Sequence, residues 1–221
     1  MKQLTRRRGL SLLLSLLLLL SLLPTAAFAA DTKKTIYTDM NYKGVSDGTE
    51  NKPYANFEDA IANASDGDTI VIKGKAYANV REEAGTTPLI IDKHVTVTGA
   101  GGAVGELYVR AGGILLGANV TFKNVELNLA NKYHNAIFVN GYHLTAENVT
   151  RGSGSREVHL FAGGIGTGTQ VTAQLPTAGS SAVLTLTNST FGSIYAGGVN
   201  TTFAGDVTVT ATGSTVGAVY C

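Results

Sequence analysis

The sequence predicts an all-β fold, a right-handed parallel β-helix whose coils are about 24 to 25 residues long. Three observations predict it. Short strand-like segments recur at a near-constant step, with no helical pattern between them. The composition suits strands and tight turns: 27 of the 221 residues are Gly, only 15% are charged, and there is no Trp. An asparagine also returns to the same place in successive repeats, at Asn124, Asn148 and Asn188.

The strand starts carry the period. They are Ile70, Val95, Val120, Leu144, Leu184 and Val209, each opening a run such as Val-Thr-Val-Thr or Leu-Thr-Leu-Thr. All steps but one are close to 25 residues, and the step from Leu144 to Leu184 is about 40. Leucine-rich repeats share this period, but their leucine spacing is absent. Asparagine at a bend has two physical reasons. It tolerates a left-handed backbone, and identical side-chain amides stacked on parallel strands can bond to one another. Gly213 takes the place in the last repeat. This is a structural reason for Asn148 and Asn188, although both also match the glycan-acceptor pattern, as does Asn119.

Residues 1–29 read as a signal peptide of the general secretory type. Lys2, Arg6, Arg7 and Arg8 form its positive region, and Leu10 to Leu23 form an apolar run too short to span a bilayer comfortably. Pro24 breaks the run, and Ala27-Phe28-Ala29 is the expected cleavage site. The mature chain is expected to be a bacterial protein, secreted or held at the cell surface, with no transmembrane segment. Cys221 is the sole cysteine, so no internal disulfide forms. A net charge of +1 gives no reason to expect nucleic acid as a partner.

Residues 30–68 are read as a lead-in. Lys34 to Thr38 is a strand, and Gly44, Asp47-Gly48 and Pro53 mark turns. Asn56 is expected to cap a short helix, with Glu58 and Asp59 in its first turn. Phe57, Ala60, Ile61 and Ala64 make its apolar face. That helix covers the open end of the stack. Residues 69–221 are the β-helix, with an excursion at about 165–182 that is rich in Gly, Thr and Ser. At the other end, residues 188–196 and 213–221 are two copies of one pattern, and the first continues into Gly197-Gly198. The C-terminus is therefore expected to be open and truncated within a coil, with further coils of a longer parent protein beyond it.

Several stretches resemble the leading region of the pectate-lyase-like superfamily of right-handed β-helices. They are Ile36-Tyr37-Thr38-Asp39, Asp47-Gly48-Thr49, Lys52-Pro53-Tyr54, Phe57-Glu58-Asp59-Ala60-Ile61 and Gly67-Asp68-Thr69-Ile70-Val71-Ile72. Pro88 to Gly99 looks like the second coil of that group. The later Thr190-Phe-Gly-Ser-Ile-Tyr-Ala-Gly-Gly198 looks more like the repeats of bacterial surface proteins, including pectate-lyase-like adhesive domains. The resemblance implies the fold. For function it leaves lyases, hydrolases and non-catalytic adhesins open.

A lyase of this fold would use Ca²⁺ beside a Lys or Arg base. Hard Ca²⁺ wants several converging carboxylate oxygens. The best-placed pair is Asp68 and Asp92, one coil apart, and turn chemistry explains Asp68 equally. No metal site and no catalytic residue is expected from the visible residues. A local patch suits binding instead. Tyr133, His134, Asn135, Tyr142 and His143 are followed by Arg151, and rings beside amides, imidazoles and a guanidinium can stack on and hydrogen-bond a sugar. The expected function is a non-catalytic, adhesin-like surface module whose partner is a polysaccharide or a host or cell-surface glycan, with no cofactor. The alternative is the N-terminal fragment of a secreted, Ca²⁺-dependent polysaccharide lyase, with Lys73 or Lys93 as base.

Overall fold

The structure, a computed structural model, describes residues 32–78, 88–110, 112–129, 135–153, 155–166 and 181–221. All elements below belong to the unit Lys33–Cys221. The signal peptide at 1–29, and most of the excursion expected at 165–182, lie outside the described residues. Among the described residues no helix is long and apolar enough to cross a membrane.

The strands, in chain order, are β1 (Thr35–Thr38), β2 (Thr69–Ile72), β3 (Lys75–Ala78), β4 (Leu89–Ile91), β5 (Val95–Gly99) and β6 (Gly105–Val109). Then come β7 (Ile114–Leu116), β8 (Val120–Leu129), β9 (Ala136–Phe138), β10 (His143–Arg151), β11 (His159–Phe161) and β12 (Ser181–Thr187). The last are β13 (Thr190–Phe191), β14 (Ile194–Tyr195), β15 (Asp206–Thr212), β16 (Thr215–Val216) and β17 (Val219–Tyr220). Among the described residues one α-helix, α1 (Phe57–Ala62), precedes β2. The fold is all-β, and every pairing between these strands is parallel.

A nine-stranded sheet runs β1-β2-β5-β8-β10-β12-β15, with β3 and β6 joined to it through β8. A six-stranded sheet runs β4-β7-β9-β11-β14-β17, and β13 pairs with β16 in a third. From β7 to β12 the chain alternates between the two large sheets. Each strand therefore pairs with the equivalent strand of the neighbouring repeat.

Register makes the core. On the nine-stranded sheet Ile36, Ile70, Val97, Phe122, Ala146 and Leu186 fall in one column. On the six-stranded sheet Leu89, Ile114, Ile137, Leu160 and Ile194 fall in another. Both columns are buried in one apolar cluster. The large Phe122 sits beside the small Ala146 in the first of them.

The outward positions have columns too. Thr35, Thr69, Thr96, Thr121, Thr145, Thr185 and Thr210 share one register across the nine-stranded sheet. Thr is β-branched, and Thr–Thr neighbours across strands are favourable. On the six-stranded sheet Ile90, Leu115, Phe138, Phe161, Tyr195 and Tyr220 form the outer column. Phe161 stacks on Phe138 with centroids 5.2 Å apart and on Tyr195 at 4.6 Å, and Tyr195 stacks on Tyr220 at 4.9 Å.

The asparagine positions behave as their chemistry requires. Asn124, Asn148 and Asn188 have φ of 52°, 53° and 49°, and Gly213 has φ 61°. The Asn148 amide nitrogen donates to the Asn124 side-chain oxygen at 2.9 Å. At Gly163, Gly164 and Gly198 of the recurring Gly-Gly the cause is different, a close approach that leaves no room for a side chain. A Cβ on Gly163 would stand 2.8 Å from the Gly198 nitrogen, and one on Gly164 would stand 2.5 Å from the Asn140 side-chain oxygen.

Two expectations are corrected. Ile70 pairs with Val97, two residues later in the chain than the Val95 that the strand pattern matches to it. The steps Val95–Val120, Val120–Leu144, Leu144–Leu184 and Leu184–Val209 hold. Asn56 makes no side-chain cap bond to the helix backbone, and its amide instead donates to the Asp59 carboxylate at 3.2 Å. At the edges of the expected excursion, Ile165 bridges to Val199, and Ser181 and Ala182 already belong to β12.

Candidate functional site

The patch read from the sequence is only partly assembled. Tyr133 and His134 lie outside the described residues. Asn135 stands just before β9 on the six-stranded sheet, and its carbonyl accepts from the His159 N–H at 2.8 Å. Tyr142 is half-buried and packs against the main core. His143 is exposed at the first position of β10, and its N–H donates to the Asn119 side chain at 2.9 Å. Arg151 is exposed at the last position of the same strand. The two stand at opposite ends of β10, with the left-handed bend at Asn148 between them.

The acidic pair is likewise separated in role. Asp68 is buried, and its two oxygens accept from the Lys34 N–H at 2.7 Å and the Ser65 N–H at 2.8 Å. Its carboxylate holds the turn before β2 to the strand of the lead-in. Asp92 is exposed and lies 3.8 Å from Lys93. Among the described residues no group of three or more His, Cys, Asp or Glu converges to hold a metal.

The structure assembles another site from β3 and β6. Both strands alternate strictly. Ala76, Ala78, Leu107 and Val109 point into the core, so Lys75, Tyr77, Glu106 and Tyr108 point out. The parallel register sets Lys75 beside Glu106 and Tyr77 beside Tyr108. Asn56 bridges to Tyr77 on one side, and Asn128 of β8 follows Tyr108 on the other. An outward column Asn56, Tyr77, Tyr108, Asn128 results, with Lys75, Glu106 and Glu126 beside it.

A cleft of about 570 Å³ opens here, lined by Met40, Lys43, Ala55, Asn56, Tyr77, Tyr108 and Arg110. The Met40 N–H donates to the Lys75 carbonyl at 2.9 Å, which pins the Asp39–Lys43 stretch against the start of β3. The two tyrosine rings lie 4.9 Å apart and tilted by 32°.

Below the rings the polar groups are organised. The Lys75 ammonium lies 3.0 Å from Glu106 and 5.5 Å from the centre of the Tyr108 ring. The Tyr108 hydroxyl donates to the same carboxylate at 2.9 Å. The next repeat copies this local bond, with the Asn128 amide donating to Glu126 at 3.0 Å. The hydrogen bond from Lys75 holds the Glu106 carboxyl below its ordinary pKa, and that bond raises Lys75 in turn. The bond to Glu106 raises the Tyr108 phenol. At neutral pH the trio is an ammonium, a carboxylate and a neutral phenol. Half-exposed aromatic rings flanked by the Asn56 amide and the Arg110 guanidinium are the kind of surface that a pyranose ring uses: apolar C–H on the rings, hydroxyls on the polar groups.

Sequence reasoning passed over this site because β3 and β6 are not one coil period apart. A signal was present in the pattern polar-apolar-Tyr-apolar, which occurs at both 75–78 and 106–109. Compared with known proteins, the chain matches no family model, no curated protein and no solved structure.

Proposed function

We propose that this chain is an exported, non-catalytic surface module of the adhesin type that binds carbohydrate at the Tyr77–Tyr108 cleft. The observation that carries the reading is the pair of outward rings, half-buried in a cleft with amide and cationic neighbours. We further propose that its scaffold is a right-handed parallel β-helix related to the pectate-lyase-like superfamily. The successive parallel pairings between equivalent strands of neighbouring repeats support that geometry. The basic, apolar and Ala-x-Ala pattern of the first 29 residues supports export to the cell surface or medium.

Titration calorimetry against a panel of plant, bacterial and host oligosaccharides tests the binding. The expected result is saturable binding that weakens by about tenfold or more in Tyr108→Ala, the loss of one well-placed aromatic contact. Absence of any saturable ligand, or an unchanged affinity in the variant, overturns the reading. Polygalacturonate with added Ca²⁺ should give no unsaturated product by absorbance. Its appearance would replace the module with the lyase. N-terminal sequencing of secreted protein should begin at Ala30.

A further inference from the structure

Resting on the carbohydrate reading, we infer that the cleft takes an anionic saccharide, one carrying a carboxylate or a sulfate. The lining holds two cations, Lys43 and Arg110, and no carboxylate. Among the described residues the nearby acids are engaged elsewhere. Glu106 is held by Lys75 and Tyr108, Glu126 by Asn128, and Asp59 by Asn56. Among the described residues neither Lys43 nor Arg110 forms an ion pair. Both are exposed. Among the described residues the cleft therefore presents two cations outside any ion pair next to the two rings, on a chain whose net charge is only +1. The charge is local to the cleft rather than a property of the whole surface.

The two kinds of group do different work. The tyrosines accept a sugar ring through its apolar face and do not distinguish neutral from acidic sugars. The cations make that distinction. The planar fork of Arg110 matches a carboxylate or sulfate with two parallel N–H···O bonds, and Lys43 adds a point charge. Both attractions are exposed to solvent, so they weaken as salt rises.

The test uses the whole chain and one backbone in three charge states. The probes are a chondroitin tetrasaccharide bearing only carboxylates, its sulfated form, and its carboxyl-reduced neutral form. Calorimetry should show the charged forms binding about five- to tenfold more tightly than the neutral one at low salt. The margin should shrink at high salt. A sulfate preference over the carboxylate-only form identifies sulfate as the group that is read, and equal affinity for the two identifies the carboxylate. The double variant Lys43→Gln/Arg110→Gln, two exposed positions, should bind all three alike. Equal binding of neutral and charged forms by the unaltered protein overturns the inference and leaves carbohydrate binding standing. A charge preference that survives in the double variant overturns the assignment to Lys43 and Arg110. Binding of none of the three, with none found in the oligosaccharide panel, removes the carbohydrate reading itself.

Discussion

The Asn148 side-chain amide donates to the Asn124 side-chain oxygen at 2.9 Å, and both residues hold a left-handed backbone. Two demands thus meet at one position, a positive φ and a donor aimed at the neighbouring repeat. Glycine meets the first demand and alanine meets neither. Asn148→Gly should lose about 1 kcal/mol, the worth of the bond. Asn148→Ala should lose about 1–2 kcal/mol beyond that for its backbone. Urea denaturation of the two variants checks the order, and equal stabilities would show that φ is not the constraint.

The Gly-Gly positions divide into filled and open ones. A Cβ at Gly164 would press on the buried Asn140 oxygen, whereas a Cβ at Gly197 meets nothing within 4 Å. Gly164→Ala should cost about 1–3 kcal/mol as an overpacked site. Gly197→Ala should stay within about 0.5 kcal/mol of the parent. Thermal unfolding monitored by circular dichroism separates the two.

Phe161 has a ring on each side, and Tyr220 stacks on Tyr195 alone among the described rings. Stacking beyond simple burial is worth about 0.5–1.5 kcal/mol per pair. Phe161→Leu should therefore cost about 1–3 kcal/mol and Tyr220→Leu roughly half of that or less. Chemical denaturation of both variants reads the ratio, which should exceed one.

The Lys75–Glu106–Tyr108 trio gives stability a pH signature. Glu106 has a lowered pKa in the folded state, so its contribution is present above its ordinary 4.5 and fades as pH falls through the lower folded value. Lys75 and Tyr108 have raised pKa values, so theirs are complete below 10.5 and 10.0 and fade as pH rises through the higher folded values. The stability difference between the parent protein and Glu106→Gln should be largest on the plateau between those limits and shrink on both sides. All three groups keep contact with solvent, so the amplitude is small. A difference that grew below pH 4 would contradict the assignment.

Much of the stacking was legible in the sequence, because inward Val, Leu and Ile alternate with outward Thr in nearly every repeat. The first step was misplaced for a physical reason. A slip of one residue turns every side chain to the other face, but a slip of two keeps the faces and leaves the alternation intact. Matching Ile70 to Val95 is such a slip. The Thr69–Thr96 pair, first link of the long threonine column after Thr35, holds the true register. The six-stranded sheet was hidden by the brevity of its strands, two or three residues each. The paired tyrosines were hidden because their separation is not one coil period.

Val149 reaches across 40 positions of sequence to bond Ser189, while Asn148 reaches across 24 to bond Asn124, and the strands on either side meet in the same alignment. Pairing in this sheet is thus indifferent to how much polymer is spent between one strand and the next. Closing a longer loop costs only about 0.6 kcal/mol for each doubling of its length. The span between Gly166 and Ser181 is consequently where this protein can acquire new sequence, by drift or by graft, while the strands on both sides keep their partners.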